Sequence, residues 1–145
     1  YADTTPILVS VLNGAFMFTA DLMRAITTEC EIDFIKLSSY GAEKVSSGDV
    51  QELKSVDAPL ADRDIIIVED IVDTGLTMDF MKDRFQAYNP ASLRVATLLH
   101  KPEATEPDLE LDYVGFRIPD LFVIGYGLDF GQLGRNLADI YILDE

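Results

Sequence analysis

Cysteine is almost absent from this chain: Cys30 stands alone, and with one histidine beside it no Cys/His cluster of metal-binding spacing exists. An internal disulfide is thereby excluded. Cys30 lies near the start of a predicted strand and reads as a small core residue, not a nucleophile. Long hydrophobic runs are absent too. No stretch approaches the roughly 18 to 20 apolar residues of a membrane-spanning helix, and no basic, apolar, small-residue leader opens the chain. The reading is a cytoplasmic protein with no membrane partner. Basic residues are scarce, 11 Lys and Arg against 26 Asp and Glu for a net charge of −15. Nucleic acid is excluded as a partner, because its binding requires a basic surface that displaces counterions.

What is present is a core. At 145 residues and 48% hydrophobic content, one domain spanning 1–145 is expected. The chain starts at Tyr1 without a methionine and leads almost at once into a strand, so a native N-terminal segment is expected to be missing. Ile7 to Leu12 reads as a buried strand, followed by the turn Asn13-Gly14 and an amphipathic helix from about Phe16 to Thr27. Glu31 to Ser39 is a second strand, and Tyr40 to about Lys54 a long polar loop. Asp64 to Glu69 is a third strand, Leu76 to Tyr88 a helix stopped by Asn89-Pro90, and Ser92 to Leu99 a further strand. Strands alternating with helices predict an α/β fold with a doubly wound, mostly parallel sheet. After His100 the pattern breaks into a Pro-containing loop and three short strands, Asp112 to Phe116, Leu121 to Gly125 and Ile140 to Leu143, read together as a small C-terminal cap beside the sheet.

The most informative stretch is Asp64 to Met78, DIIIVEDIVDTGLTM. Its β-branched run Ile65-Ile66-Ile67-Val68 does not alternate, as expected of a strand covered on both faces. Glu69 and Asp70 follow at its carboxyl end. Ligands of open α/β sheets bind outside those ends, where two carboxylates can hold hydroxyls or, through water, a metal. Asp73-Thr74-Gly75-Leu76-Thr77 then offers backbone N–H groups, two hydroxyls and a flexible glycine at the mouth of a helix. Such a loop suits a phosphate monoester.

These pieces resemble the phosphoribosyl-diphosphate signature of the type I phosphoribosyltransferases, and more closely that of the 6-oxopurine branch, the hypoxanthine-guanine phosphoribosyltransferases. The resemblance runs from Ile7 to the end. Leu12-Asn13-Gly14-Ala15-Phe16-Met17-Phe18 matches the family's diphosphate loop, Ser39-Tyr40 opens the segment matching its mobile loop, and Lys101 falls at the base-recognition position. Phe122-Val123 and Gly125-Tyr126-Gly127-Leu128-Asp129 match the segment framing the purine, and Arg135 the diphosphate-binding arginine.

The resemblance implies purine salvage: a purine displaces diphosphate from phosphoribosyl diphosphate, giving a nucleoside monophosphate such as IMP or GMP. Glu69, Asp70, Asp73, Thr74, Gly75, Leu76 and Thr77 would hold the phosphoribosyl group. Asn13, Gly14, Ser39, Tyr40 and Arg135 would bind diphosphate. Lys101, Phe122, Val123 and Asp129 would bind the purine. Mg2+ is the implied cofactor, with Glu69, Asp70 and Asp129 as metal residues, and in so acidic a chain no useful substrate binding is expected without it. Asp73 is the candidate general base toward the purine imidazole. Lys101 can only donate, so it would select the exocyclic oxygen of a 6-oxopurine over the amino group of adenine. Ser39 and Tyr40 belong to an implied lid that keeps water from an oxocarbenium-like species. A homo-oligomer, dimer or tetramer, is the implied assembly.

Two departures stand out. Many members have Lys at the position of Asn13, and the peptide after it is implied to be a non-proline cis bond. Members also carry a helical segment before the first strand. Two rival readings remain open on the residues alone. One is a non-catalytic regulator that binds phosphoribosyl diphosphate or a nucleotide on the same fold. The other is a receiver-type signalling domain, suggested by the strand ending in Glu69-Asp70.

Overall fold

The computed structural model describes residues 1–39 and 50–144. Six strands form the main sheet: β1 (Ile7–Leu12), β2 (Glu31–Ser39), β3 (Val50–Lys54), β4 (Asp64–Val72), β5 (Ser92–His100) and β6 (Tyr113–Arg117). Their order is β3-β2-β1-β4-β5-β6. All neighbours run parallel except β2 and β3, which are antiparallel. The order reverses between β1 and β4, and that switch point opens a crevice at the carboxyl ends of these two central strands.

The absence of alternation in the central strands is explained by helices on both faces. Ile7, Val9, Val11, Ile65, Ile67 and Val95 face α2 (Leu76–Gln86), whose Met78, Met81 and Phe85 are fully buried against them. Leu8, Ile66, Val68 and Ala96 face the opposite way, toward Phe18, Leu22 and Met23 of α1 (Phe16–Ala25). Cys30 packs at the edge of this second cluster, as a small core residue does. One buried polar link fixes α1 over β1: the Thr19 hydroxyl donates to Ala15 O at 2.7 Å, so the Ser10 hydroxyl, 2.8 Å away, donates to Thr19. No helix of the described residues is long and apolar enough to cross a membrane.

Several boundaries differ from the sequence reading. α1 ends at Ala25, where Ile26 turns extended with ψ 131°. β4 continues past Glu69 to Val72 because its pairing with β5 persists through Val72 and His100. Part of the expected polar loop, Val50–Lys54, is a strand, which pairs with β2 through an alternating half-buried pattern. The segment assigned to the cap at Asp112 to Phe116 is instead the sheet's edge strand β6, bonded to β5. The cap itself is smaller: β7 (Val123–Ile124) pairs antiparallel with β8 (Tyr141–Ile142), and Leu128, Val123, Tyr126 and Ile140 pack on Leu98 and Leu99 of β5.

The connection into β4 is anchored by Asp33 of β2, whose carboxylate accepts from the N–H groups of Phe34, Asp57 and Ala58 at 2.7, 2.8 and 2.7 Å. Burial pushes its pKa up, but these three donors and the Lys54 charge outweigh that and hold it below the ordinary value. The folded state therefore favours the ionised form, so this stability is present above the unfolded-state pKa and is lost as pH falls through the folded one. Asp33→Asn is expected to cost ~2 kcal/mol at pH 7 in urea unfolding. The difference from the parent should shrink below about pH 4, near the carboxylate's unperturbed value. A penalty that stays constant over that range would show that the ionised carboxylate is not the anchor.

Candidate active site

The crevice at the switch point is floored by the carboxyl ends of β1 and β4. Glu69, Asp70, Asp73, Thr74, Gly75 and Thr77 line one cavity of about 180 Å³ together with Ile71, Val72 and Met78. Glu69 and Asp70 project from the last part of β4, where alternation sends adjacent side chains to opposite faces. Glu69 is buried. Burial, followed by the neighbouring Asp70 charge, pushes its pKa well above the ordinary carboxylate range, while its Oε1 accepts from Asp70 N at 3.0 Å. Asp70 is half-buried and accepts from Ile71 N at 2.7 Å. Its carboxylate lies against Gly14, where any Cβ would collide with it. The diphosphate-loop candidate and the acidic pair are thus in direct contact, and any side chain at position 14 would displace the Asp70 carboxylate. The non-proline cis peptide lies at Leu12–Asn13, one bond before the position the resemblance implied. Asn13 is exposed.

The loop into α2 has the geometry expected of an anion cradle. Gly75 takes φ +93° at the N-cap and offers no side-chain cap, and Leu76 N donates to Thr74 Oγ1 at 3.4 Å, so the helix opens at the cavity that Thr74, Gly75 and Thr77 line. Leu76 begins the helix and is exposed.

Lys101 follows β5 and is buried, with its ammonium 3.3 Å from Asp73 Oδ2 and 3.2 Å from Asp120 Oδ1. The two carboxylates are about half exposed, so both can meet a ligand without leaving the ammonium stranded. Asp120 was not singled out in the sequence. A lone acid in a Pro-containing turn gives no signal until folding brings it to a buried lysine. Two residues beyond it, Phe122 is exposed and meets Phe130 edge-on at 5.8 Å. Val123 begins β7.

The cap reaches the diphosphate loop through its backbone. Gly125, Tyr126 and Gly127 all have positive φ, and a Cβ on Gly127 would collide with the carbonyl of Gly14. Tyr126 is held by a hydrogen bond from its hydroxyl to Asp21 of α1, and burial together with that carboxylate pushes the phenol up to about 12. Arg135 donates to Gly127 O at 2.7 Å and lies 3.3 Å from Asp129 Oδ1. Asp129 Oδ2 in turn accepts from Gln132 N at 2.7 Å. Asp129 and Arg135 are therefore paired with each other in the cap. Ser39 closes β2, and Tyr40 lies outside the described residues.

The phosphoribosyl transferase domain family matches residues 1–131. The hypoxanthine-guanine phosphoribosyltransferase of Bacillus subtilis (strain 168) is 46% identical over 143 residues, covering 99% of this chain and 79% of that protein. The chain belongs to the hypoxanthine-guanine phosphoribosyltransferase family. A crystal structure of the hypoxanthine-guanine phosphoribosyltransferase of Bacillus anthracis, 43% identical, superposes with a TM-score of 0.94 over 99% of this chain and 85% of its own. The hypoxanthine phosphoribosyltransferase of Trypanosoma cruzi, 42% identical, does so at 0.92 over 98% and 74%. The protein is a phosphoribosyltransferase of purine salvage, with the doubly wound sheet of the type I fold. The regulator and receiver readings are set aside.

Mg2+ favours oxygen ligands and is held in such sites by one or two carboxylates with substrate oxygens completing the shell. Among the described residues no three Asp, Glu, His or Cys side chains converge. The donor chemistry nevertheless fits, since Glu69 and Asp70 supply two carboxyl groups beside a phosphate-shaped loop.

Proposed function

We propose that this enzyme transfers the phosphoribosyl group of phosphoribosyl diphosphate to hypoxanthine or guanine, giving IMP or GMP and diphosphate. The observation that carries the reading is the Asp73–Lys101 pair, 3.3 Å apart, standing at the rim of the cradle formed by Glu69 to Thr77. In this reading the cradle's N–H groups and the Thr74 and Thr77 hydroxyls bind the 5-phosphate. Glu69 and Asp70 orient the ribose hydroxyls. Asp73 receives the imidazole proton of the purine as the new glycosidic bond forms. Lys101 has three N–H donors, of which the two carboxylates occupy two, and the third is directed at the exocyclic oxygen of the base. Phe122 stacks on the purine and the backbone of Val123 reads its edge.

Gly14 and the Asn13 loop receive the departing diphosphate, with Arg135 exchanging its contact to Asp129 for a phosphate oxygen pair. Mg2+, when held by Asp70 with Glu69, and at a second position by Asp129, would neutralise the charge that develops on the leaving group. Asn13 brings no charge to that loop, so diphosphate affinity rests on Arg135 and the metal. Ser39 and Tyr40 are assigned to a closing lid. We further assign the enzyme to the cytoplasm, as one domain that assembles into a homo-oligomer. In the Trypanosoma cruzi relative the C-terminal region has a role in oligomeric state and enzymatic activity, which supports the last point.

Diphosphate release with hypoxanthine, guanine and xanthine tests the reaction. Turnover is expected with hypoxanthine or guanine, falling at least 100-fold when EDTA removes the metal. Absence of turnover with every oxopurine in the presence of Mg2+ would overturn the assignment.

A further inference from the structure

We propose that Thr105 is a positioning residue for this reaction, whose hydroxyl ties the backbone of Asp73 to that of Lys101 and so sets the spacing between the proton-accepting carboxylate and the base-reading ammonium. The proposal rests on the roles assigned above to Asp73 and Lys101. Thr105 lies in the loop after β5, and its Oγ1 reaches both the Asp73 carbonyl and the Lys101 carbonyl, the latter at 2.8 Å. These carbonyls belong to the two residues whose side chains meet at 3.3 Å. One hydroxyl thus closes a ring through both functional groups.

The seam around Thr105 makes its contribution separable. Lys101 N donates to Val72 O at 3.0 Å, and Glu106 N donates to Thr74 O at 3.1 Å. These flanking bonds come from the backbone and survive any side-chain change. The bond to Asp73, between them, comes from a side chain and can be deleted. The Thr105 methyl group stands 3.5 Å from where a Cβ on Gly75 would be, so the residue also packs on the cradle's turn.

His100 completes the arrangement. Its Nε2 lies 3.1 Å from Thr105 Oγ1. The hydroxyl proton is engaged by the carbonyls, so Nε2 must carry the imidazole proton and donate. Nδ1 is then the bare lone-pair nitrogen, and it is buried without a partner among the described residues. Burying a lone pair in that way costs less than burying an unpaired N–H or an imidazolium. The histidine thereby orients the hydroxyl toward Asp73 and Lys101 rather than back into the loop.

A shift of about 1 Å in a reacting group can cost on the order of 10²-fold in rate, and the flanking backbone bonds limit the shift here. Thr105→Val, which keeps the shape and removes the hydroxyl, is expected to lower kcat with hypoxanthine about tenfold. Thr105→Ser should restore it to within about twofold. The test is a double-mutant cycle with Asp73→Asn, in which the Val effect should fall below about twofold because there is no longer a proton-accepting carboxylate to position. Parent-like turnover in Thr105→Val, failure of Ser to restore it, or an undiminished tenfold loss in the Asp73→Asn background would each overturn the proposal. Parent-like turnover in Asp73→Asn alone would instead overturn the role of Asp73 and the proposal with it. Thr105→Ala, read in the same cycle, serves if the valine variant melts below the assay temperature.

Discussion

Asp73→Asn is expected to reduce kcat with hypoxanthine by ~10²–10⁴-fold, the range that a positioned general base contributes, while the KM for phosphoribosyl diphosphate moves less than about threefold. Asn keeps the volume of the side chain and offers an amide oxygen to Lys101, so the 3.3 Å contact can persist. What it loses is the ability to take a proton. The 5-phosphate contacts proposed above come from the backbone and hydroxyls of Thr74 to Thr77, which line the cavity and which the substitution leaves in place. Fall in kcat without a matching rise in KM separates loss of a chemical group from collapse of the cradle. A reduction smaller than about tenfold would mean that the purine proton leaves by another route.

The preference for hypoxanthine over adenine in kcat/KM is expected to be ~10⁴–10⁵, as for a site built around one hydrogen-bonding group that meets an analogue lacking its partner. Lys101 is buried and can only donate. Opposite an amino group its third N–H would face another donor, in a place where water cannot compensate. Lys101→Gln is expected to bring the ratio below about 10³, because the amide offers a carbonyl to adenine as well as an amine to hypoxanthine. Its stability cost should be small, since the partners Asp73 and Asp120 are half exposed and regain water. Competition assays with the two bases give the ratio directly. Equal discrimination by the parent and Lys101→Gln would place base selection elsewhere, in the Val123 to Asp129 segment.

The parts of the fold that local pattern specifies were legible. β1 and β2 have the bounds read from the sequence: β1 is an unbroken buried apolar run, and β2 carries apolar Phe34, Ile35 and Leu37 among polar residues and pairs along β1. The lining of the switch-point cavity was legible as well, since Glu69 to Thr77 is contiguous and its turn into α2 takes the positive φ that Gly75 permits. The sheet's edges were less so. β3 alternates half-buried and exposed residues and lacks the apolar content that marks a strand until a neighbour offers its free N–H and C=O groups, whereas β6 was read as a strand but placed in the cap, because its mostly exposed residues do not say which neighbour it pairs with. Tyr113 and Phe116 could equally have belonged to a cap.

Relations between distant segments divide the two sources most clearly. The amino-acid sequence by itself determined the alternation of strands and helices, the acidic pair, the glycine turn into α2 and the family, because each is encoded within a few consecutive residues. Only the tertiary structure decided that Asp70 rests on Gly14, that Gly127 closes on the same loop, and that Asp73, Lys101 and Asp120 share one charge cluster. The same holds for Thr105, an ordinary loop hydroxyl until the seam between two loops makes it a link. The reason is physical: local periodicity records which face of an element is buried, but the pairing of side chains tens of residues apart follows from strand order, which is set by packing over the whole sheet.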